Sequence, residues 1–239
     1  MSIKNLSSSF LVLTLIFTGI AFSQDSGLEE VTVTAQRQEQ SLQDVPLAVS
    51  ALSEDDLFAQ QIEGAGDLQL TVPSLRFETG NFSGGGGFEI RGVTNLAVSA
   101  TADAGVATHV NDLAVGATTL QDGNFFDMQR IEVIRGPAGT LFGQNSVGGA
   151  LNFITAKGDT SGFYGNVRAD VGDYGRLGTT AVFNVPLDDK VALRIATNTL
   201  VQDGLIENTY KGSGGFQNTE NRNQSAYRAT LTFEPSDST

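Results

Sequence analysis

From Phe163 onward the chain alternates between apolar and polar residues. Phe163, Val167, Ala169 and Val171 fall on one face of an extended run, and Asn166, Arg168 and Asp170 fall on the other. Leu177, Ala181, Phe183 and Val185 repeat the pattern. So do Val191, Leu193 and Ile195 opposite Arg194 and Asn198, and Tyr227, Leu231 and Phe233 opposite Arg228 and Thr230. A period of two belongs to strands, whose side chains point alternately to opposite faces. Four such segments in succession describe an antiparallel sheet with one apolar and one polar face. Two architectures satisfy that description. One is an ordinary meander lying on its own core; the other is the wall of a membrane β-barrel, apolar towards lipid and polar towards the lumen. The connections lean towards the barrel: Pro186 to Lys190 is short, whereas Asp203 to Gln224 is long and rich in Gly and Asn. Outer-membrane barrels have this alternation of short inner turns and long outer loops, although "GDYGR", Gly172 to Arg176, would be a short loop on the outer side.

The N-terminus supplies the compartment. Lys4 precedes an apolar run from Phe10 to Phe22, and Ala21-Phe22-Ser23 places small residues at both cleavage-determining positions. This pattern reads as a secretory signal over residues 1–23, because the run is shorter than the roughly 20 residues a spanning helix needs. The formal charge of -13 and the absence of any basic stripe exclude a nucleic-acid partner. With no cysteine and one histidine, disulfides, thiolate sites and His-cluster metal sites are unavailable. No metal or cofactor is expected.

Residues 24–44 read as a polar, flexible segment around one β-prone island, "EEVTVTA", Glu29 to Ala35. A strand without a local partner can add to the edge of another protein's sheet or pair within its own domain. A globular unit follows over residues 45–157. Its expected elements are a strand at Val45 to Ala51, then a helix opened by a capping box, Ser53 with Asp56, and stopped by Gly64. A second short helix starts near Asp67 and ends before Pro73. A strand covers Phe88 to Val93, with Phe88 and Ile90 opposite Glu89 and Arg91. Two strands, Val106 to Val110 and Leu113 to Val115, flank the turn residues Asn111-Asp112. Phe125 to Arg130 is expected to form one helical turn before a buried strand at Ile131 to Ile134.

Enzymatic signatures fail one by one. After Gly143 come Gln144 and Asn145, not the Lys-Ser/Thr of a phosphate loop, and Gly136 and Gly139 have the wrong spacing for a dinucleotide fingerprint. Ser146 lies in no nucleophile elbow, and His109, inside a strand, reads as a structural imidazole. Asp55-Asp56 and Asp188-Asp189 suit helix-start and turn positions. The chain reads as a protein without catalysis.

The stretch "RIEVIRGPAGTLFGQNSVGGALNFIT", Arg130 to Thr155, carries a family. It strongly resembles the end of the plug domain of TonB-dependent outer-membrane receptors. "EEVTVTAQ" resembles the TonB box, "FEIRGV" is similar to the central plug strand, and "NVPLDDKVALRIA" resembles an early barrel hairpin. The resemblance implies an α+β plug domain, a small mixed sheet with short helices, over residues 45–157. The first antiparallel strands of a transmembrane β-barrel would follow over residues 158–239, with the barrel incomplete. It implies a compact loop turned by Gly136, Gly139, Gly143, Gly148 and Gly149. It also implies charged plug contacts to the barrel through Arg91, Arg135 and Glu132, and a TonB-binding strand formed by Glu30, Val31, Thr32, Val33, Thr34 and Ala35. Ligand would meet the outward plug loops, with Asn81, Phe82, Ser83 and Asn95 as candidates. The implied activity is energised uptake of a scarce ligand, most often a ferric siderophore, across the outer membrane in partnership with TonB. Four strands fall below the minimum of about eight for a closed membrane barrel, so the chain reads as the N-terminal part of a receptor. The other class open to it is a secreted plug-like binding module whose residues 162–239 fold onto the plug in water.

Overall fold

The computed structural model describes residues 32–33, 40–41, 47–79, 86–94, 105–115, 125–206, 209 and 221–234. By compactness the chain divides into residues 1–30, all outside the described set, and residues 31–239. The expected signal segment therefore falls where nothing is described.

Within the second unit, two strands pair first: β1 (Thr32–Val33) lies antiparallel to β2 (Gln40–Ser41). Strand β3 (Val49–Ser53) then leads into helix α1 (Glu54–Ala59). Ser53 and Asp56 form the expected capping box: Asp56 N–H donates to Ser53 Oγ at 3.2 Å, and Ser53 N–H donates to Asp56 Oδ2 at 3.0 Å. The helix ends earlier than the sequence suggests. Gln61 turns left-handed (φ 54°) and Ile62 N–H returns to the Leu57 carbonyl, which buries Ile62. Gly64 instead opens helix α2 (Ala65–Thr71), where Asp67 Oδ2 accepts from the N–H groups of Glu63 and Gly64.

A three-stranded sheet follows: β4 (Leu75–Thr79), β5 (Gly86–Ile90) and β6 (Val93–Thr94). Here the single expected strand over Phe88 to Val93 is corrected. Arg91 (φ 52°) and Gly92 (φ 83°) form the two left-handed positions of a tight hairpin turn between β5 and β6. Strand β4 was not expected, although Leu75 and Phe77 alternate with Arg76 and Glu78.

The main plug sheet is mixed. Its order is β3-β9-β10-β7-β8, built from β7 (Val106–Val110), β8 (Leu113–Ala114), β9 (Met128–Arg135) and β10 (Gly149–Thr155). Strands β7 and β10 are parallel and the other neighbours are antiparallel. The turn at Asn111-Asp112 is as expected, with both residues left-handed. The helical turn expected over Phe125 to Arg130 is absent. Asp127 is left-handed (φ 53°), which no helix repeats, and the strand has begun by Met128. Leu151 and Phe153 face one core with Leu52, Leu57, Leu68, Phe88, Ile90, Ile131 and Val133. Ala150 and Ile134 face another with Ala107, Ala138, Phe142 and Val33. Because both faces are covered, β10 is buried along its whole length.

Between β9 and β10 the glycine-rich stretch folds back through the short helix α3 (Gly139–Phe142). Gly136 N–H donates to the Gly148 carbonyl and Ala138 N–H to the Ser146 carbonyl, so the loop closes on itself. Gly149 sits at φ 148°, and an added Cβ would run into the Ile134 carbonyl oxygen; one at Gly148 would meet Val93 Cβ at 2.7 Å. These two glycines exist for close approach.

The remaining strands are β11 (Tyr164–Gly172), β12 (Arg176–Asp188), β13 (Val191–Gln202) and β14 (Arg222–Phe233), an antiparallel sheet in chain order. This is the meander the alternation predicted, with one bulge near Pro186. Short of the bulge its outer face carries no charged residue: Gly165, Val167, Ala169 and Val171 on β11 lie level with apolar or hydroxyl-bearing residues and the amide of Asn223, and past the bulge the register brings Asp188 level with Val191 at the rim. Val171 is 81% exposed and Tyr227 77%. Among the described residues, no helix is long and apolar enough to cross a membrane.

Gly149→Ala is expected to cost about 1–3 kcal/mol, the range for backbone held in a sparsely populated region, read as an earlier urea midpoint. Gly139→Ala, whose methyl would meet only Ser146 Oγ at 3.8 Å, should change stability by less than about 0.5 kcal/mol and leave the midpoint nearly in place.

Candidate functional site

The plug meets the four-stranded sheet across a charged seam. Asp127, in the bend before β9, is buried, and its Oδ1 accepts from Arg194 Nε at 2.9 Å and Nη2 at 2.6 Å. Arg194 Nη1 donates to the Tyr164 hydroxyl at 3.0 Å. From the next strand, Arg228 Nη1 donates to the carbonyls of Phe126 and Asp127, each at 3.0 Å, and its guanidinium lies 4.6 Å from the centre of the Phe126 ring. The left-handed bend makes this possible, because it turns the Asp127 side chain and two successive carbonyls towards β13 and β14. The Asp127 carboxylate thus faces two guanidinium groups, with Arg228 Nη1 3.9 Å from Oδ2.

Nearer the β11–β12 turn the contacts repeat in weaker form. Arg176 Nη2 donates to both Glu63 carboxylate oxygens, at 2.9 and 2.7 Å, and Arg176 Nε donates to Asp170 at 3.0 Å. Arg168 stacks on Phe58 of helix α1, 3.9 Å from the ring centre. The connecting segment is stapled to the same face: Asn184 accepts from Asp159 N–H and donates to the carbonyls of Asp159 and Gly162, all at 2.8 Å. Ser161 donates to Asp159 through its hydroxyl and its backbone N–H, which holds the Asp159 carboxyl below the ordinary carboxylate range. Between plug and sheet lies a gap of about 1240 Å³, bordered by Glu63, Asp127, Arg168, Arg176 and Arg194 among others.

The residues named from sequence stand as follows. Glu132 is buried and accepts from its neighbour Arg130 at 2.8 Å. Arg91 is exposed at the β5–β6 turn, and Arg135 ends β9, its N–H donating to the Ala48 carbonyl. The polar contacts just described between plug and sheet run through Asp127, Glu63 and the Phe126 carbonyl instead, with the arginines on the sheet. Their sign is opposite to the plug-arginine arrangement that the resemblance implies. Gly136 (φ 134°) and Gly143 (φ 79°) are left-handed turn positions beside Gly148 and Gly149, whereas Gly139 starts a helix without steric need. In the TonB-box stretch, Thr32 and Val33 form β1, and Val33 is fully buried on the plug sheet; Glu30, Val31, Thr34 and Ala35 lie outside the described residues. So do Asn81, Phe82, Ser83 and Asn95. His109 is buried with its ring edge-on to Phe142, in keeping with a structural imidazole.

A mixed-sheet domain whose carboxylates clamp it to the arginine-bearing face of four antiparallel strands defines a class: a plug domain followed by strands like those that open its barrel. Residues 41–150 match the TonB-dependent receptor plug domain, so the chain carries the plug of that receptor family. It is 31% identical over 208 residues to an iron-regulated outer membrane virulence protein of Vibrio cholerae, covering 81% of this chain and 31% of that one. It is 25% identical over 173 residues to the vitamin B12 transporter BtuB of Photobacterium profundum, covering 64% and 27%. In structure it resembles the ferric yersiniabactin uptake receptor FyuA of Yersinia pestis, with a TM-score of 0.69 at 21% identity over 80% of this chain and 29% of that one. The chain therefore spans less than a third of the length of these relatives.

Asp127→Ala leaves Arg194 buried without its carboxylate, and a cost of about 3–5 kcal/mol is expected. Glu63→Ala, at a pair whose glutamate is 55% exposed, should cost no more than about 1 kcal/mol. The denaturation midpoint, together with amide exchange along β13, checks both.

Proposed function

We propose that this chain is the ligand-gating front part of an energised outer-membrane importer, and that its cargo is a ferric siderophore. The observation that carries the reading is the plug seated on the charged face of a sheet whose other face, short of the bulge near Pro186, is uncharged. A wall with that division separates lipid from a polar lumen. An iron-regulated relative and a ferric-siderophore receptor of like fold support iron as the cargo metal. The B12 transporter among the relatives keeps cobalamin as the second cargo to test.

In this reading residues 1–23 export the chain, residues 24–44 carry the coupling segment, residues 45–157 form the plug and residues 158–239 begin the barrel. Ligand docks from outside on plug loops that include Asn81, Phe82, Ser83 and Asn95. Glu30 to Ala35 then pairs by strand addition with the periplasmic domain of TonB. Val33 is now seated on the plug sheet, so the segment must leave its socket before it can be shared. Pulling on it, driven by the inner-membrane proton gradient, displaces part of the plug and opens the lumen. The alternative of a water-soluble secreted module fits poorly with Val167, Val171, Leu177, Tyr227, Leu231 and Phe233 standing exposed on one face.

Titration calorimetry of the TonB periplasmic domain against the mature chain, with and without Glu30 to Ala35, tests the coupling. Binding that disappears with the deletion is expected; equal binding in both, or none in either, contradicts the assignment. In the receptor carrying this chain, Val33→Pro should abolish energised uptake and spare ligand binding, because proline removes a backbone donor from the added strand. Normal uptake by that variant would defeat the assignment of the box.

A further inference from the structure

The plug-facing side of β11–β14 holds a row of arginines that the clamping of the plug uses only in part. Counting alternate residues from Tyr164 to the bulge near Pro186, and then along β13 and β14, that face carries Arg168, Arg176, Arg194, Arg222 and Arg228 against one carboxylate, Asp170. Five of the chain's 14 basic residues thus stand on one side of one sheet, in a chain of formal charge -13. The register gives them an order. Arg222 is aligned with Gln202, and Arg176 stands level with it, one residue before the Leu177–Val201 pair, at the end of the sheet that carries the β11–β12 turn. Arg168 is aligned four residues further along, Arg228 six and Arg194 eight. Eight residues at about 3.3 Å each make a row about 26 Å long measured along the strands.

What occupies the row now shows what it binds. Asp127 sits on Arg194 beside Arg228, and Glu63 presents both carboxylate oxygens to Arg176. These carboxylates belong to the plug and leave with it. The guanidinium groups belong to the wall and stay, uncovered along the path just opened. Arg168 already borders the gap with the Phe58 ring against it, and among the described residues neither Arg168 nor Arg222 has a carboxylate within ion-pair distance. None of the described contacts that hold the plug uses Arg222.

Resting on the importer reading above, we infer that this arginine row is an anion path, and that the cargo is an anionic, carboxylate-bearing chelate that replaces the plug carboxylates as it passes. Guanidinium groups pair with carboxylates in fork geometry, and a row of one sign raises the local concentration of the opposite one. A neutral chelate would gain nothing from the row.

The test uses the full-length receptor in a bacterium lacking its other iron receptors, with radioactive iron supplied as the anionic iron(III) citrate complex or the neutral iron(III) tris(acetohydroxamate) complex. Citrate-bound iron is expected to enter saturably. Arg222→Gln and Arg168→Gln should each raise KM about tenfold with kcat little changed, the signature of lost binding that is uniform along the reaction. Arg222→Lys should recover much of the loss. Immunoblots of the outer membrane and the heat-dependent gel shift of folded barrels verify that the variants assemble. TonB-dependent entry of the neutral chelate at an equal rate, or citrate uptake indifferent to both substitutions, would overturn the anion path and leave the importer reading standing. Entry of neither complex would overturn the anion path and the iron-importer reading together.

Discussion

The structure depends on an unequal division of charge between the two faces of one sheet. Short of the bulge near Pro186, strands β11–β14 place no charged residue outward, and inward they place five arginines against one aspartate. An arginine row facing water on one side of a thin sheet, with valine, leucine and phenylalanine facing water on the other, would be a poor solution for a soluble protein. It is an economical one for a wall between lipid and a polar lumen. Once the arginines face inward they require anions. The plug supplies them at Asp127 and Glu63, so the position of the plug follows from the polarity of the wall.

Local backbone geometry makes the clamp work. Asp127 adopts a left-handed conformation that few non-glycine residues accept. The bend turns its carboxylate and the neighbouring carbonyls outward from the plug, so that Arg194 and Arg228 grip side chain and backbone together. A buried carboxylate with two guanidinium neighbours contributes more to fixing one arrangement than to net stability, since desolvation offsets much of the attraction. The glycines at positions 148 and 149 serve a complementary need inside the plug. They let the loop after β9 return within backbone contact of Ile134 and Val93, so that β10 lies covered on both faces.

The four sheet strands were legible because alternation is a local signal and the register carried it through almost every residue. The capping box at Ser53 was legible for the same reason. The plug's end loop was recognisable because its glycines and proline are fixed by close backbone approach. The clamp was not legible. Asp127 and Arg194 are 67 residues apart, and nothing local distinguishes that aspartate from its neighbours. Its left-handed bend also replaced the helical turn that Phe125 to Arg130 suggested. Arg91 looked like a strand residue because the two-residue hairpin turn at Arg91-Gly92 contains a single glycine. Strand β4 was missed although Leu75 and Phe77 alternate with Arg76 and Glu78, because five residues directly after Pro73 make a short signal.

The division of the sheet can be measured directly, because this chain contains no tryptophan. Tryptophan introduced singly at Leu193, on the outer face of β13, or at Asn198, on its inner face, reports which side meets lipid when the full-length receptor carrying this chain, its other tryptophans replaced by phenylalanine, is reconstituted with phosphatidylcholine brominated along its acyl chains. The account predicts strong fluorescence quenching for Leu193→Trp and little for Asn198→Trp. Equal quenching at the two positions, or quenching only at Asn198, would contradict it.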